Sequence, residues 1–114
     1  MYRDELDLSP EKDTTLIIDT KSNQAQIKQN MIESRKRHSI TRLFDKIYCA
    51  GGIASYIITN SVEIYSTRLN IWINGPDMIY NGLVSLISVG NRYIYAIGGS
   101  DSEDLYTYHC DLYV

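Results

Sequence analysis

Reactive side chains are sparse in this chain of 114 residues, which carries two histidines, His38 and His109, and two cysteines, Cys49 and Cys110. A structural zinc site needs four nitrogen or sulfur ligands at suitable spacing. His38, His109 and Cys110 are too few and too scattered for that, so no metal is expected. The acidic run Asp101, Glu103, Asp104 lacks the spaced oxygens and central glycine of a calcium loop, and reads as a solvated loop. Catalytic signatures are missing as well: there is no G-x-S-x-G elbow, no Gly-rich loop ending in a Walker lysine, and no H-E-x-x-H pair. The sequence therefore points to no catalytic residue and no cofactor. The basic cluster Ser34-Arg35-Lys36-Arg37-His38 has two readings, a phosphate or localisation signal and ordinary solvated loop charge. A net charge of −3 argues against general nucleic-acid affinity, whose footprint is a basic surface.

With chemistry this thin, the elements carry the information. Lys46-Ile-Tyr-Cys-Ala and Tyr93-Ile-Tyr-Ala-Ile are short, β-branched and aromatic, and each runs into a Gly-Gly pair, as buried strands do. Cys49 inside the first of them reads as a small hydrophobe. Leu83 to Val89, Val62 to Tyr65 and Asn70 to Asn74 fit further strands. Asp45-Lys46 and Gly90-Asn91-Arg92 supply hairpin turns, and Asn74-Gly-Pro-Asp is a strong turn signal. Ser22 to Arg37 comes nearest to a helical pattern without a convincing 3.6-residue apolar face. These strands recur at an offset of 47 residues: Met31, Ile32, Ile40, Ile47, Tyr48, Gly51 and Gly52 return as Met78, Ile79, Ile87, Ile94, Tyr95, Gly98 and Gly99. Upstream, Ile17, Thr20 and Asn23 fall on Ile64, Thr67 and Asn70 at the same offset. A period of this length marks a propeller or a helical array, and the strand pattern selects the propeller.

Laid out in order, Met31, Arg35, Ile47, Tyr48, Gly51, Gly52, Glu63, Tyr65, Asn70, Trp72, Pro76 and Met78 resemble one whole kelch repeat. Ile94, Tyr95, Gly98 and Gly99 resemble the front of the next. Departures stand at Ile18, Ala25 and Gly82, where the family has Tyr, Trp and Arg. The resemblance implies an all-β fold, a partial kelch-type β-propeller of about 2.4 blades of four-stranded antiparallel sheet, not closed into a ring by itself. It divides the chain into an acidic stretch (1–14), the back half of a repeat (15–30), a complete repeat (31–77) and a front half (78–114). It also implies structural roles for the motif residues, with aromatic rings packing blade on blade and Arg35 tying strand to loop. Copper-dependent oxidases occur among kelch-like propellers, but their ligands come from several blades, and two histidines cannot supply such a set.

Function, on the same resemblance, is that of a non-enzymatic protein-interaction module whose loops after the Gly-Gly pairs meet a protein partner of unknown identity. The candidate residues are Tyr56, Ile57 and Ile58 in the first loop and Asp101, Glu103 and Asp104 in the second. Tyr56 with Ile57 and Ile58 offers the apolar anchors, since exposed aromatics often dominate binding energy; folding of these side chains back onto the blade is the alternative. Sixteen Ile, ten Tyr and seven Asn against four Ala suggest a genome poor in G and C, and with the shortness of the chain this looks similar to truncated poxvirus kelch-like proteins. The competing reading is a decayed remnant of a BTB-kelch ubiquitin-ligase adaptor, self-associating or without activity. Cullin recruitment is not expected where no BTB-like segment is present. No signal peptide or run long enough to span a bilayer is seen, so the sequence reads as cytoplasmic, with no membrane or nucleic-acid partner.

Overall fold

Short β-branched strands separated by turns fold here into four sheets, three standing side by side and a small two-stranded one formed by a hairpin. The computed structural model describes residues 10–99 and the backbone of residues 110–113. Residues 1–9, Asp101, Glu103, Asp104 and His109, and the side chain of Cys110, lie outside the described residues. The strands are β1 (Leu16–Asp19), β2 (Gln24–Ile27), β3 (Ser39–Leu43), β4 (Lys46–Ala50), β5 (Ile53–Ala54), β6 (Ile57–Ile58), β7 (Val62–Ser66), β8 (Ile71–Asn74), β9 (Ser85–Val89), β10 (Tyr93–Ile97) and β11 (Cys110–Tyr113). The first sheet pairs β1 with β2, the middle sheet runs β3-β4-β7-β8, and the third runs β11-β10-β9, all antiparallel. The fold is all-β, with no helix among the described residues, and forms an open part of a β-propeller. Ser22 to Arg37 supplies β2 and an irregular connection.

The 47-residue period is written in the backbone. Positive φ recurs at Asn23 and Asn70 (59° and 55°), at Phe44 and Asn91 (57° and 58°), and at both Gly-Gly pairs. Hydrogen bonds repeat in step: Lys28 N to Thr15 O matches Gly75 N to Val62 O, and Met31 N to Asp13 O matches Met78 N to Asn60 O. The Lys12–Arg35 bridge has its counterpart in Gly82 N to Thr59 O. The correspondence thus reaches back to Lys12.

One stretch departs from it. β3 and β4 join through the two-residue turn Phe44-Asp45, whereas Gly90-Asn91-Arg92 makes a three-residue turn between β9 and β10. The extra residue slips β9 by one position, and a one-residue slip turns every side chain to the other face. Ile40 lies opposite Cys49 while Ile87 lies opposite Tyr95, so this identical pair sits on opposite faces of its sheets.

The core lies between the middle and third sheets. Ala50, Val62, Met78, Ile94 and Ala96 are buried together, with Leu43, Tyr48, Val84 and Leu86 packed against them. Strands β3 and β9 run beside each other there, and the Ser39 hydroxyl donates to Val84 O across the gap. The first sheet is far more exposed, with Leu16, Ile18 and Ile27 largely in solvent.

Candidate functional site

Antiparallel strands place alternate connections at opposite ends of a sheet. Turns 20–23, 44–45, 67–70 and 90–92 therefore share one end, and connections 28–38, 51–61 and 75–84 share the other. The motif residues and the candidate loop concentrate at the second end.

Arg35 is the hub of that end and is only 1% exposed. Its Nη1 donates to Gly51 O (3.0 Å) and Ser61 O (3.2 Å), and its Nη2 donates to Ser61 Oγ (3.0 Å) and Glu63 Oε2 (2.8 Å). Glu33 adds an outer carboxylate at 3.3 Å. Glu63, equally buried, also accepts the amides of Ile32 (2.7 Å) and Glu33 (3.1 Å). A buried charge persists only when paired and hydrogen-bonded, and this pair anchors the 28–38 connection to β7. Apart from Arg35 Nε, buried with no hydrogen-bond partner among the described residues, the chemistry of this pair is satisfied internally. It makes a brace rather than a reactive centre.

The neighbouring thiol and imidazole are tuned accordingly. Burial pushes the Cys49 thiol up to about 12, with smaller opposed effects from Arg35 and Glu63. Cys49 is fully enclosed and remains a protonated, inert packing group. His38 shows one side to solvent while protein crowds the other, and this desolvation, followed by the Arg35 charge, holds its imidazole below the usual range; Glu63 acts the other way. Among the described residues no three His, Cys, Asp or Glu side chains gather as metal ligands.

Tyr65, Asn70 and Trp72 join the first sheet to the middle one. Trp72 Nε1 donates to Thr15 Oγ1 and to Gln29 O, both at 3.0 Å. Asn70 Oδ1 accepts the Tyr65 hydroxyl (2.7 Å) and the Gln29 amide (3.0 Å), and the Tyr65 and Trp72 rings lie 5.0 Å apart. Gly51 serves the other junction, while Gly52 and Gly99 each lie against the connection that leads into their own sheet. A Cβ on Gly51 would come within 2.3 Å of Gly82 O, and one on Gly52 within 2.5 Å of Lys36 O; a Cβ on Gly99 would meet Leu83 O at 2.0 Å. Met31, Met78 and Ile94 are buried, Ile47, Tyr48 and Tyr95 half-buried.

The candidate loop is a miniature hairpin. β5 and β6 pair Ile53 with Ile58 and Ala54 with Ile57, leaving Ser55-Tyr56 as the two-residue turn. Both turn residues have positive φ, 54° and 65°, a backbone shape that normally selects Asn-Gly. Glu11 holds it: Oε1 accepts Ser55 N at 2.9 Å and Oε2 accepts Tyr56 N at 2.8 Å. The tip raises Tyr56 to 91% exposure and Ile57 to 68%, while Ile58 turns inward and is half-buried. Lys36 pairs with Ile53 through two backbone bonds, which sets Arg37 and His38 beside the hairpin. Nothing in the sequence singles out Glu11, because its partners lie 44 and 45 residues away.

An open set of propeller-like blades, braced by a buried Arg–Glu pair and displaying loops at one end, is the architecture of a repeat scaffold. Residues 34–79 match the family model for the Kelch motif. Kelch-like protein 7 of Rattus norvegicus and that of Mus musculus are each 31% identical to this chain over 70 residues, covering 61% of the chain and 12% of the relative. The chain thus spans a small fraction of the relatives it matches. These matches place a Kelch motif in the middle sheet and its flanking connections.

Proposed function

We propose that this protein is a non-enzymatic interaction module that grips a protein partner through the hairpin tip at Tyr56 and Ile57. The observation that carries the reading is the pairing of extreme exposure with a costly backbone. Two non-glycine residues in the left-handed region cost on the order of 1 kcal/mol each, and the fold spends a dedicated carboxylate, Glu11, on holding them there. Strain of this kind collects at ligand clamps, and a rigid exposed aromatic is a favoured binding anchor. The acidic loop at Asp101, Glu103 and Asp104 belongs to the same proposed surface by its place after the second Gly-Gly pair.

A viral setting, with host or viral proteins as partners in the host cytoplasm, is the finer part of the proposal and rests on composition. The second reading, a remnant of a BTB-kelch adaptor, is favoured by the exposure of the first sheet, whose Ile18 and Ala25 depart from the family's aromatic residues. Affinity capture from infected-cell extract, quantified for the wild-type chain, for Tyr56→Ala with Ile57→Ala, and for Phe44→Ala at the opposite end, tests the module. The double variant should lose its recovered partner while Phe44→Ala keeps it. Equal recovery by all three would remove the hairpin as the site.

A further inference from the structure

An asparagine followed by glycine can react with its own backbone, because a glycine has no side chain to keep its amide nitrogen away from the asparagine Cγ. The chain contains two such pairs, Asn74-Gly75 and Asn81-Gly82, and the fold treats them differently. Asn74 ends β8 opposite Glu63, and Gly75 N donates to Val62 O at 2.8 Å. Its backbone is held extended and the next amide is engaged at an ordinary distance. Asn81 is exposed and lies outside any strand. Gly82 is buried, but its N donates to Thr59 O at 3.3 Å, beyond the usual range for such a bond. The internal repeat supplies the reason. Gly82 stands at the position of Arg35, whose own amide donates to Lys12 O at 2.8 Å and whose guanidinium ties its connection to Gly51, Ser61 and Glu63. A glycine gives the 75–84 connection no such anchor.

We propose that Asn81 is a self-modifying site, converting spontaneously to isoaspartate and thereby loosening the foot of the Tyr56 hairpin. When the long bond to Thr59 opens, Gly82 N gives up its proton to solvent and attacks Asn81 Cγ. The bond from Cγ to the side-chain nitrogen breaks, ammonia leaves, and a succinimide ring joins residues 81 and 82. Water then opens the ring: cleavage at the backbone carbonyl leaves isoaspartate, and cleavage at Cγ leaves aspartate. One water is consumed and one ammonia released, with no oxidant or reductant, and either product carries a new carboxylate. In the isoaspartate form the main chain runs through Cβ and Cγ, so it gains a carbon immediately before Gly82. That place closes the hairpin's foot. Gly82 O accepts Gly52 N at 3.1 Å, Gly82 N reaches Thr59 O, and Thr59 N donates to Gly52 O at 3.0 Å. The modification chemistry stands apart from the proposed partner grip; only its effect on recognition rests on that reading.

Ageing the full wild-type chain in warm neutral buffer, beside the same chain unfolded in urea, tests the proposal. Peptide mapping follows both asparagines, and isoaspartate-specific methyl labelling identifies the product. In urea the two sites should react at similar rates. In buffer Asn81 should convert while Asn74 lags by at least about tenfold, the factor that a local opening of about 1.4 kcal/mol imposes. An Asn81 that stays intact in buffer, or that reacts no faster than Asn74, would overturn the proposal. Hydrogen exchange of aged against fresh protein reads the consequence: the Gly52 and Thr59 amides should exchange faster after conversion, and unchanged exchange at both would reject the loosening. The capture experiment with Tyr56→Ala and Ile57→Ala judges the partner grip separately, so the two readings fail independently.

Discussion

At the scale of single residues the strongest commitments are the buried ones. Glu63→Ala would leave the Arg35 guanidinium enclosed without its counter-charge, at a cost of about 3–5 kcal/mol, a large share of what a small domain possesses. Urea unfolding should show the midpoint collapse, and a loss below about 1 kcal/mol would mean the pair behaves like a surface bridge. Cys49 should resist alkylation in the native state at pH 8, when thiols of ordinary reactivity are labelled; peptide mapping reads this directly. Because its folded pKa is raised from 9.0 to about 12, its contribution to stability is intact below about pH 9 and fades as the pH climbs toward 12. His38 works in the other direction. Its depressed pKa means the unfolded chain takes up the proton first, so stability falls as the pH drops from 6.5. His38→Gln should flatten that part of the stability profile.

Single elements obey backbone geometry more than side-chain type. Phe44 occupies a left-handed turn position at φ 57° with its ring 62% exposed, so little packing is lost with it. Phe44→Gly should raise stability by about 0.5–1 kcal/mol. Gly52→Ala should cost about 2 kcal/mol or more, because φ is +87° and the methyl group would press on Lys36 O. Thermal melts of the two variants should therefore move in opposite directions. The strands were readable because alternation and Gly-Gly stops are local signals: Lys46–Ala50 and Tyr93–Ile97 were bounded to the residue. β3 carries no such signal, since Ser39-Ile-Thr-Arg-Leu offers a single strongly apolar side chain on each of its faces. The one-residue slip of β9 also escaped, because identity at a fixed offset cannot show an insertion that a nearby deletion cancels.

For the whole molecule, the uneven burial of the three sheets predicts uneven protection. Amides of β4, β7 and β10, each flanked by strands on both sides, should exchange far more slowly than those of β1 and β2; hydrogen exchange with mass readout would show equal rates if the sheets open together. The sequence by itself determined the period, the strand class and the motif register, because glycine pairs, β-branched runs and turn residues act on their own few neighbours. Only the tertiary structure decided which side chains meet: Glu11 with the turn at Ser55-Tyr56, Arg35 with Glu63 and Ser61, and Trp72 with Thr15. Those contacts span tens of residues, and the chain must close into packed sheets before the distances that define them exist.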